Sequence, residues 1–263
     1  MTQGTTATRH EAQDACATVD VLGVLILDIT LDKAVSRIEE LIHQTEPRSR
    51  SVFFVNAHTL NVAMDDPSYL ACLRTADIAF GDGSGVRYAA RMRGHRLVDN
   101  VNGTDLVPAL FDATAGRGYR YYLLGAKEDA IERAARHTQE RFSGWTLAGY
   151  RHGYVAPHES DSVVAAINEA QPHLLLVGMG NPLQERWISE HQDRLRVPVC
   201  MAVGGLFDYW AGSIRRAPRW VRRLGIEWMA LLLQQPHKAR RYLAGNPKFM
   251  LRAVRWAARS AKR

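Results

Sequence analysis

An α/β fold with a mostly parallel sheet is predicted by three observations. Short apolar runs alternate with segments of helical spacing from about residue 20 to 205, the signature of βαβ units. Four of those runs end in glycine- or asparagine-containing turns that lead into the next helical segment. Beyond Gly212 no strand pattern occurs and the chain turns strongly basic. The expectation is a Rossmann-like sheet flanked by helices, with a basic all-helical C-terminal appendage. The expected boundaries are 1–18 for a disordered N-terminus, 19–212 for the α/β domain and 213–263 for the appendage.

The elements follow in order. Val21 to Leu27 is an apolar strand, and Thr30 caps a helix whose Leu31, Ala34, Val35, Ile38, Leu41 and Ile42 share one face. Ser51 to Val55 is the second strand, ending in Asn56-Ala57-His58. A helix carries Leu60, Ala63 and Met64, and Pro67 starts another. Asp77 to Phe80 is a strand; Gly81 to Gly85 breaks it, and a helical pattern runs from Val86 to Gly94. Asn102-Gly103-Thr104-Asp105 opens a helix through Ala113. Arg120 to Leu124 is a strand, Lys127 to Arg141 a helix, Trp145 to Ala148 a strand, Gly149 to Pro157 a loop and Ser162 to Ala170 a helix. Leu174 to Val177 is a buried strand ending in Gly178-Met179-Gly180-Asn181-Pro182, and the helix after it carries Gln184, Glu185 and Trp187. Val197 to Val203 is the last strand, ending in Gly204-Gly205. Then come helices Trp220 to Gln234, Pro236 to Leu243 and Pro247 to Arg259.

In a parallel sheet the turns after the strands lie along one edge, where ligands bind. Asp82 sits there with glycines on both sides, which permit positive φ and close approach of a substrate. The competing reading is an N-cap, since Asp and Ser are favoured just before a helix. Gly178 to Gln184 opens a helix whose first amides favour a phosphate; an ordinary tight turn would look the same. Arg216, before Ala217-Pro218, is placed to reach a phosphate or to pair with Asp208.

Composition narrows the class. The chain has 263 residues, 46% of them hydrophobic, as a globular protein does. Its three cysteines are far apart without a CxxC, which fits a reducing compartment. The N-terminus has no apolar stretch of a signal peptide, and no apolar run approaches the ~20 residues of a membrane span. Net charge is +7, yet from Arg215 onward fourteen Lys and Arg face the single acid Glu227, a local +13 that leaves −6 for the rest. Such asymmetry points to an anionic partner. In the last helix Lys248, Arg252, Arg255 and Arg259 share one face, beside Phe249 and Trp256, the pattern of a membrane-surface helix; the alternative is a helix docked on the body with a solvated charged face. HExxH, GxSxG, GxGxxG and Asp-x-Asp are all missing, which disfavours zinc, serine-nucleophile, dinucleotide and metal-diphosphate chemistry. No cofactor is expected. A nucleic-acid-binding module using the basic tail and a nicotinamide oxidoreductase remain as rival classes.

Taken together the motifs resemble the WecG/TagA/CpsF glycosyltransferases (glycosyltransferase family 26). They are Asn56; Ala76-Asp77 leading to Asp82-Gly83-x-Gly85-Val86; Gly103-x-Asp105-Leu106; and Gly178-x-Gly180-x-Pro182-x-Gln184-Glu185. They continue with Val203-Gly204-Gly205-x-Phe207-Asp208, Arg216-Ala217-Pro218 and Glu227-Trp228. The likeness covers Leu22 to Arg255. Tyr242-Leu243-x-Gly245-Asn246-Pro247-x-Phe249 looks like the exopolysaccharide, xanthan-type glucosyltransferase branch. The resemblance implies an inverting, metal-independent transfer of a hexosyl unit, glucose favoured, from a UDP-sugar to a polyprenyl-diphosphate-linked sugar. The alternative within the family is transfer of N-acetylmannosamine. It implies a peripheral protein on the cytoplasmic face of the inner membrane, with an anionic membrane surface and no nucleic acid as partner; homo-oligomerisation is left open.

By the same resemblance Asp82 is the general base, and Asn56 and Gln184 belong to the catalytic set. Gly83, Gly85, Asp105, Gly178, Gly180, Asn181, Glu185, Gly204, Gly205 and Asp208 would contact substrate. Arg216, Lys238, Arg240 and Arg241 would meet the charge of the leaving diphosphate. The sequence departs from the family pattern at Phe54, where Thr is frequent, at Asn100 and Leu231, where Arg is frequent, and at Lys238, which replaces an Arg.

Overall fold

The computed structural model describes residues 17–44, 48–218, 221, 227–236 and 239–260. The expected N-terminal segment, up to residue 16, and Lys238 lie outside the described residues, as does most of the stretch from Trp220 to Ile226.

The first apolar run is two strands. β1 (Thr18–Val21) and β2 (Val24–Leu27) pair antiparallel, joined by Leu22 and Gly23 at φ +54° and +87°. Two successive positive φ values are what a tight hairpin turn needs, and the Gly23 N–H is held by Asp20 Oδ1 at 2.7 Å. A single strand from Val21 to Leu27 was expected because the apolar run is continuous. Only the positive φ of the turn breaks it.

Thr30 caps α1 (Leu31–His43), its Oγ1 accepting the Lys33 N–H. The remaining elements to Ala113 are β3 (Arg50–Val55), α2 (Ala57–Asp65), α3 (Pro67–Arg74), β4 (Ile78–Gly81), α4 (Ser84–Arg91) and α5 (Gly103–Ala113). Then follow β5 (Arg120–Gly125), α6 (Glu128–Arg141), β6 (Thr146–Arg151), α7 (Ser160–Ala170), β7 (Leu174–Gly178), α8 (Leu183–His191), β8 (Val199–Ala202) and α9 (Leu206–Trp210). β6 runs three residues past the expected Ala148. Its pairing with β5 extends to Arg151, and Gly149 leaves the room that the Tyr122 ring occupies.

Six strands form one sheet in the order β4-β3-β8-β7-β5-β6, every neighbouring pair parallel. Period-two alternation sends Val52, Phe54, Tyr121, Leu123, Leu174, Leu176, Val199 and Met201 to one face, under α1, α5, α6 and α9. Phe53, Val55, Tyr122, Leu124, Leu175, Val177, Cys200 and Ala202 go to the other, under α2, α3, α4, α7, α8 and the β1–β2 ribbon. With both faces covered, the strands read as unbroken apolar runs.

At the C-terminal end lie α10 (Glu227–Gln234), α11 (Ala239–Leu243) and α12 (Gly245–Ser260). Phe249 and Ala253 of α12 are fully buried in the second of these core faces, against α2 and α4. Burying one such large apolar side chain stabilises by about 1.5–3 kcal/mol, so α12 shares the core of the α/β body. Two of its four aligned cations face that body as well: Lys248 Nζ lies 2.7 Å from Asp65 on α2, and Arg252 bonds both Asp65 and the Asn61 carbonyl. The helix is thus docked on the body through Phe249, Ala253, Lys248 and Arg252. Its outward side presents Leu251 and Val254, each 52% exposed.

Candidate active site

β3 and β4 are neighbours in register, Val55 opposite Gly81, so Asn56 and Asp82 leave the sheet side by side. Asn56 caps α2, its Oδ1 accepting the N–H groups of His58 and Thr59 at 3.0 and 3.1 Å. That leaves its Nδ2 pointing to Asp82, donating to Oδ2 at 3.3 Å. The N-cap of α4 is Gly83, at φ +88°, and no side chain caps this helix from that position. The Asp82 carboxylate is therefore not the helix cap; the reading of Asp82 as a capping residue fails on this point.

A cleft of about 690 Å³ opens over Asp82. Asn56, Asp82, Gly83 and Gly85 line it from the strand ends, and Asp99, Asn100, Asn102 and Asp105 from the stretch before and into α5. The C-terminal helices close it with Glu227, Trp228 and Leu231 of α10, Arg241 and Tyr242 of α11, and Asn246, Phe249 and Met250 of α12. Burial raises the Asp82 pKa above the usual carboxylate value, and the Asp105 charge adds to that; the Asn56 hydrogen bond and the charges of Arg241 and Arg216 pull it back. A carboxylate of raised basicity, held by one amide and open to a cleft, is equipped to take a proton from a bound hydroxyl.

Arg216 reaches Asp105, Nη2 to Oδ2 at 2.7 Å, and donates to the Thr104 carbonyl. Asp105 also accepts from Asn102 Nδ2 at 2.8 Å. Arg241 lines the cleft, and its Nε is buried without a hydrogen-bond partner among the described residues. Arg240 lies in α11, its side chain outside the description, as Lys238 is altogether.

The second set of predicted residues lies at the ends of β7 and β8. Gly178, Gly180, Asn181, Gln184, Glu185, Gly204, Gly205 and Asp208 do not line the Asp82 cleft. Gln184 and Glu185 are buried, at 1% and 0% exposure. Glu185 Oε1 accepts from Asn181 Nδ2 at 2.6 Å and Gln184 Nε2 at 2.7 Å, while Oε2 accepts from the Tyr69 hydroxyl at 3.1 Å. Gln184 Oε1 in turn holds the Gly204 N–H at 3.0 Å. Both ends of the Gln184 amide and both oxygens of Glu185 are thus spent on bracing loops. Gln184 was expected in the catalytic set and Glu185 among the substrate contacts; α8 turns both inward, to partners on α3 and the β8 loop. The turns here touch: a Cβ on Gly125 would sit 2.3 Å from the Gly178 carbonyl oxygen.

Sequence reasoning placed Asn56, Asp82, Gly83, Gly85, Asp105 and Arg241, which do meet at the cleft. It did not find Asn102, Glu227, Trp228, Tyr242 or Asn246 as lining, and met Asn100 only as a departure. Helix capping was the available signal for Asn102; Glu227 and Trp228 reach the cleft only through the path of α10. A larger groove of about 1070 Å³ lies by β2 and α1, at Asp77, the opposite end of β4 from Asp82 and the wrong edge of a parallel sheet for a ligand. Among the described residues, no group of three His, Cys, Asp or Glu is arranged to hold a metal, and no helix is long and apolar enough to cross a membrane.

Comparison with known proteins matches residues 19–263 to the family described as "Glycosyl transferase WecG/TagA/CpsF family". A protein of Staphylococcus aureus (strain MW2), N-acetylglucosaminyldiphosphoundecaprenol N-acetyl-beta-D-mannosaminyltransferase, is 30% identical over 245 residues, 93% of this chain and 95% of that one. A protein of the same name from Bacillus spizizenii is 32% identical over 200 residues, covering 76% of this chain and 77% of the relative.

Proposed function

The chain belongs to the glycosyl transferase WecG/TagA/CpsF family and is a glycosyltransferase; from that premise we propose that it moves an N-acetylmannosaminyl unit from UDP to a sugar carried on polyprenyl diphosphate. The observation that carries the reading is the Asp82 carboxylate, uncommitted to capping and open to a cleft at the carboxyl end of a parallel sheet. Asp82 takes the proton of the acceptor hydroxyl as its oxygen attacks the anomeric carbon. The bond to the donor diphosphate breaks on the opposite face, so the configuration inverts. Asn56 orients the carboxylate through its Nδ2. The departing diphosphate gains negative charge that fixed cations stabilise, and Arg241, which lines the cleft, is placed for it. No metal enters this scheme, which activity in EDTA tests: full loss restored by magnesium or manganese overturns it.

Glucose was the donor expected from the exopolysaccharide-like motif. The names of both relatives favour N-acetylmannosamine, the alternative reading, because their matches span most of this chain. Asn100 and Leu231, where the family often has Arg, both line the cleft, and this supports glucose as a second reading. A panel of UDP-sugars offered with a lipid-diphosphate-linked N-acetylglucosamine decides. Product from UDP-N-acetylmannosamine is expected; product from UDP-glucose alone selects the second reading, and no product from any donor overturns both.

A polyprenyl acceptor supports the reading of a peripheral protein at the cytoplasmic face of the membrane. The outward side of α12 supports this. Leu251 and Val254 form an exposed apolar strip beside Arg255 and Arg259, the composition of an interfacial helix. Charge at anionic lipid contributes about 1 kcal/mol per cation and is screened by salt. Binding to anionic vesicles is expected to weaken with salt and in Leu251→Glu; an unchanged Leu251→Glu variant removes this face from the interface. The nucleic-acid module and the oxidoreductase are set aside by family membership.

A further inference from the structure

The turn that carries Asp82 is built on glycine. Glycines stand at 81, 83 and 85, and Gly83, at φ +88°, has no neighbour within 4 Å of where a Cβ would be. Glycine of this kind moves freely unless tethered. Besides the Asn56 bond to the carboxylate, the peptides on either side of Asp82 are each tethered. The Asp82 N–H donates to the Val55 carbonyl at 2.9 Å, within the reach of the sheet. The Gly83 N–H donates to Asn100 Oδ1 at 2.6 Å, across 17 residues of chain.

Asn100 is itself anchored. Its N–H goes to Asp99 Oδ1 at 2.7 Å, and Asp99 Oδ2 accepts the first N–H of α1, that of Leu31, at 3.1 Å. One residue further back, Asp28 Oδ1 accepts the Val98 N–H at 2.7 Å. The strap from Val98 to Asn100 is thus pinned to Asp28, just after β2, and to the first turn of α1.

The geometry points to Asn100 as a positioning residue: by accepting the Gly83 N–H, its side chain fixes the peptide after Asp82 and with it the direction of the Asp82 carboxylate. Asn100 stands where the family often has a cation, yet its amide oxygen faces a backbone donor. The inference rests on Asp82 as the general base. A shift of about 1 Å in a catalytic group costs on the order of 10²-fold in rate.

The charged and titratable groups around Asp82 are His58 of α2, Tyr88 of α4, Asp99 and Asp105 on the strap and α5, Glu227 of α10, and Arg241 and Tyr242 of α11, with Tyr209 and Arg216 behind them. Losing the tether lets the Asp82 carboxylate turn further into the cleft, so burial raises its pKa less and the acid limb of the kcat/KM profile moves to lower pH. Substituting a carboxylate at position 100 restores the acceptor and moves that limb to higher pH.

The test compares Asn100→Ala, Asn100→Asp and Asp82→Asn for kcat, KM, pH profile and Tm. Expected are a kcat loss of about 10–10²-fold in Asn100→Ala with KM within a few-fold, the limb displaced downward, and kcat largely recovered in Asn100→Asp above its shifted limb. Wild-type kcat in Asn100→Ala, with Asp82→Asn inactive, overturns the inference alone. So does a loss that leaves the limb in place and is not rescued by Asn100→Asp. Substantial turnover by Asp82→Asn overturns the base assignment, and the inference falls with it.

Discussion

Two stretches of this chain share one local grammar, and the fold puts them to different uses. Gly81-Asp82-Gly83 follows β4, and Gly178 to Glu185 follows β7; in each, a strand ends in glycines, polar side chains come next and a helix begins. At the first, the acid stays open to a cleft, its carboxylate held by the amide of Asn56. At the second, the acid is buried under three donors from three different residues. Glycine content does not separate the two. The number of donors that the fold brings to the carboxylate does, since a buried charge persists only when it is hydrogen-bonded. A half-satisfied acid is available for chemistry, and a fully satisfied one is a brace.

The comparison breaks first at Asp82. Asp82→Asn is expected to lower kcat by about 10²–10⁴-fold with an unchanged melting temperature; turnover near that of the wild type would place the two acids in the same structural class. At Glu185 the effect should fall on stability. Glu185→Ala leaves the Tyr69, Asn181 and Gln184 donors unpaired inside the protein, at about 1–3 kcal/mol for each buried donor left unsatisfied, so it should cost the most stability, read by denaturant unfolding.

Glu185→Gln sharpens the contrast. Its carbonyl oxygen can accept from Asn181 and Gln184, while its amide can donate to the Tyr69 oxygen, so the fold should hold. Burial raises the Glu185 pKa, against the hydrogen bonds of Gln184, its own backbone, Tyr69 and Asn181. For an acid with a raised folded-state pKa, the folded protein binds the proton more tightly than the unfolded one. Its contribution is fully present below the unfolded value and declines as pH rises toward the folded one. The wild type should therefore lose stability relative to Glu185→Gln as pH rises above 4.5, the ordinary glutamate value; parallel curves would show that the charge costs nothing there.

A smaller loss is expected at Gly125→Ala. The added Cβ must displace the Gly178 carbonyl, and overpacking of this kind costs about 1–3 kcal/mol. Lower stability with kcat retained would mean that the braced loops serve only the fold, and loss of both that they also serve the site. The smallest effect is a shift of pH profile. Asp105 raises the Asp82 pKa while Arg216 lowers it, so Asp105→Asn removes the first and frees the second. The acid limb of kcat/KM should move to lower pH, and a limb that stays in place would separate Asp105 from the base.

Much of the fold was legible locally. Thr30, Asn56 and Asn102 cap their helices, and the apolar runs became strands because each was short, bounded and without a polar face. Asp82 was legible as a site residue, since a turn and a strand end are written within a few positions. The sequence by itself determined the alternation, the caps, the basic C-terminal section and the acid at the end of a strand. Tertiary structure alone decided the order β4-β3-β8-β7, which sets Asn56 beside Asp82. It also decided that Gln184 and Glu185 turn inward, and that Lys248 and Arg252 are spent on Asp65. The reason is one of range. Propensity and capping act between residues a few positions apart, whereas Asp82 meets Asn56, Glu185 meets Tyr69 and Asp65 meets Arg252 across 26, 116 and 187 residues. At that distance partner choice follows from how the layers pack, and no local pattern records it.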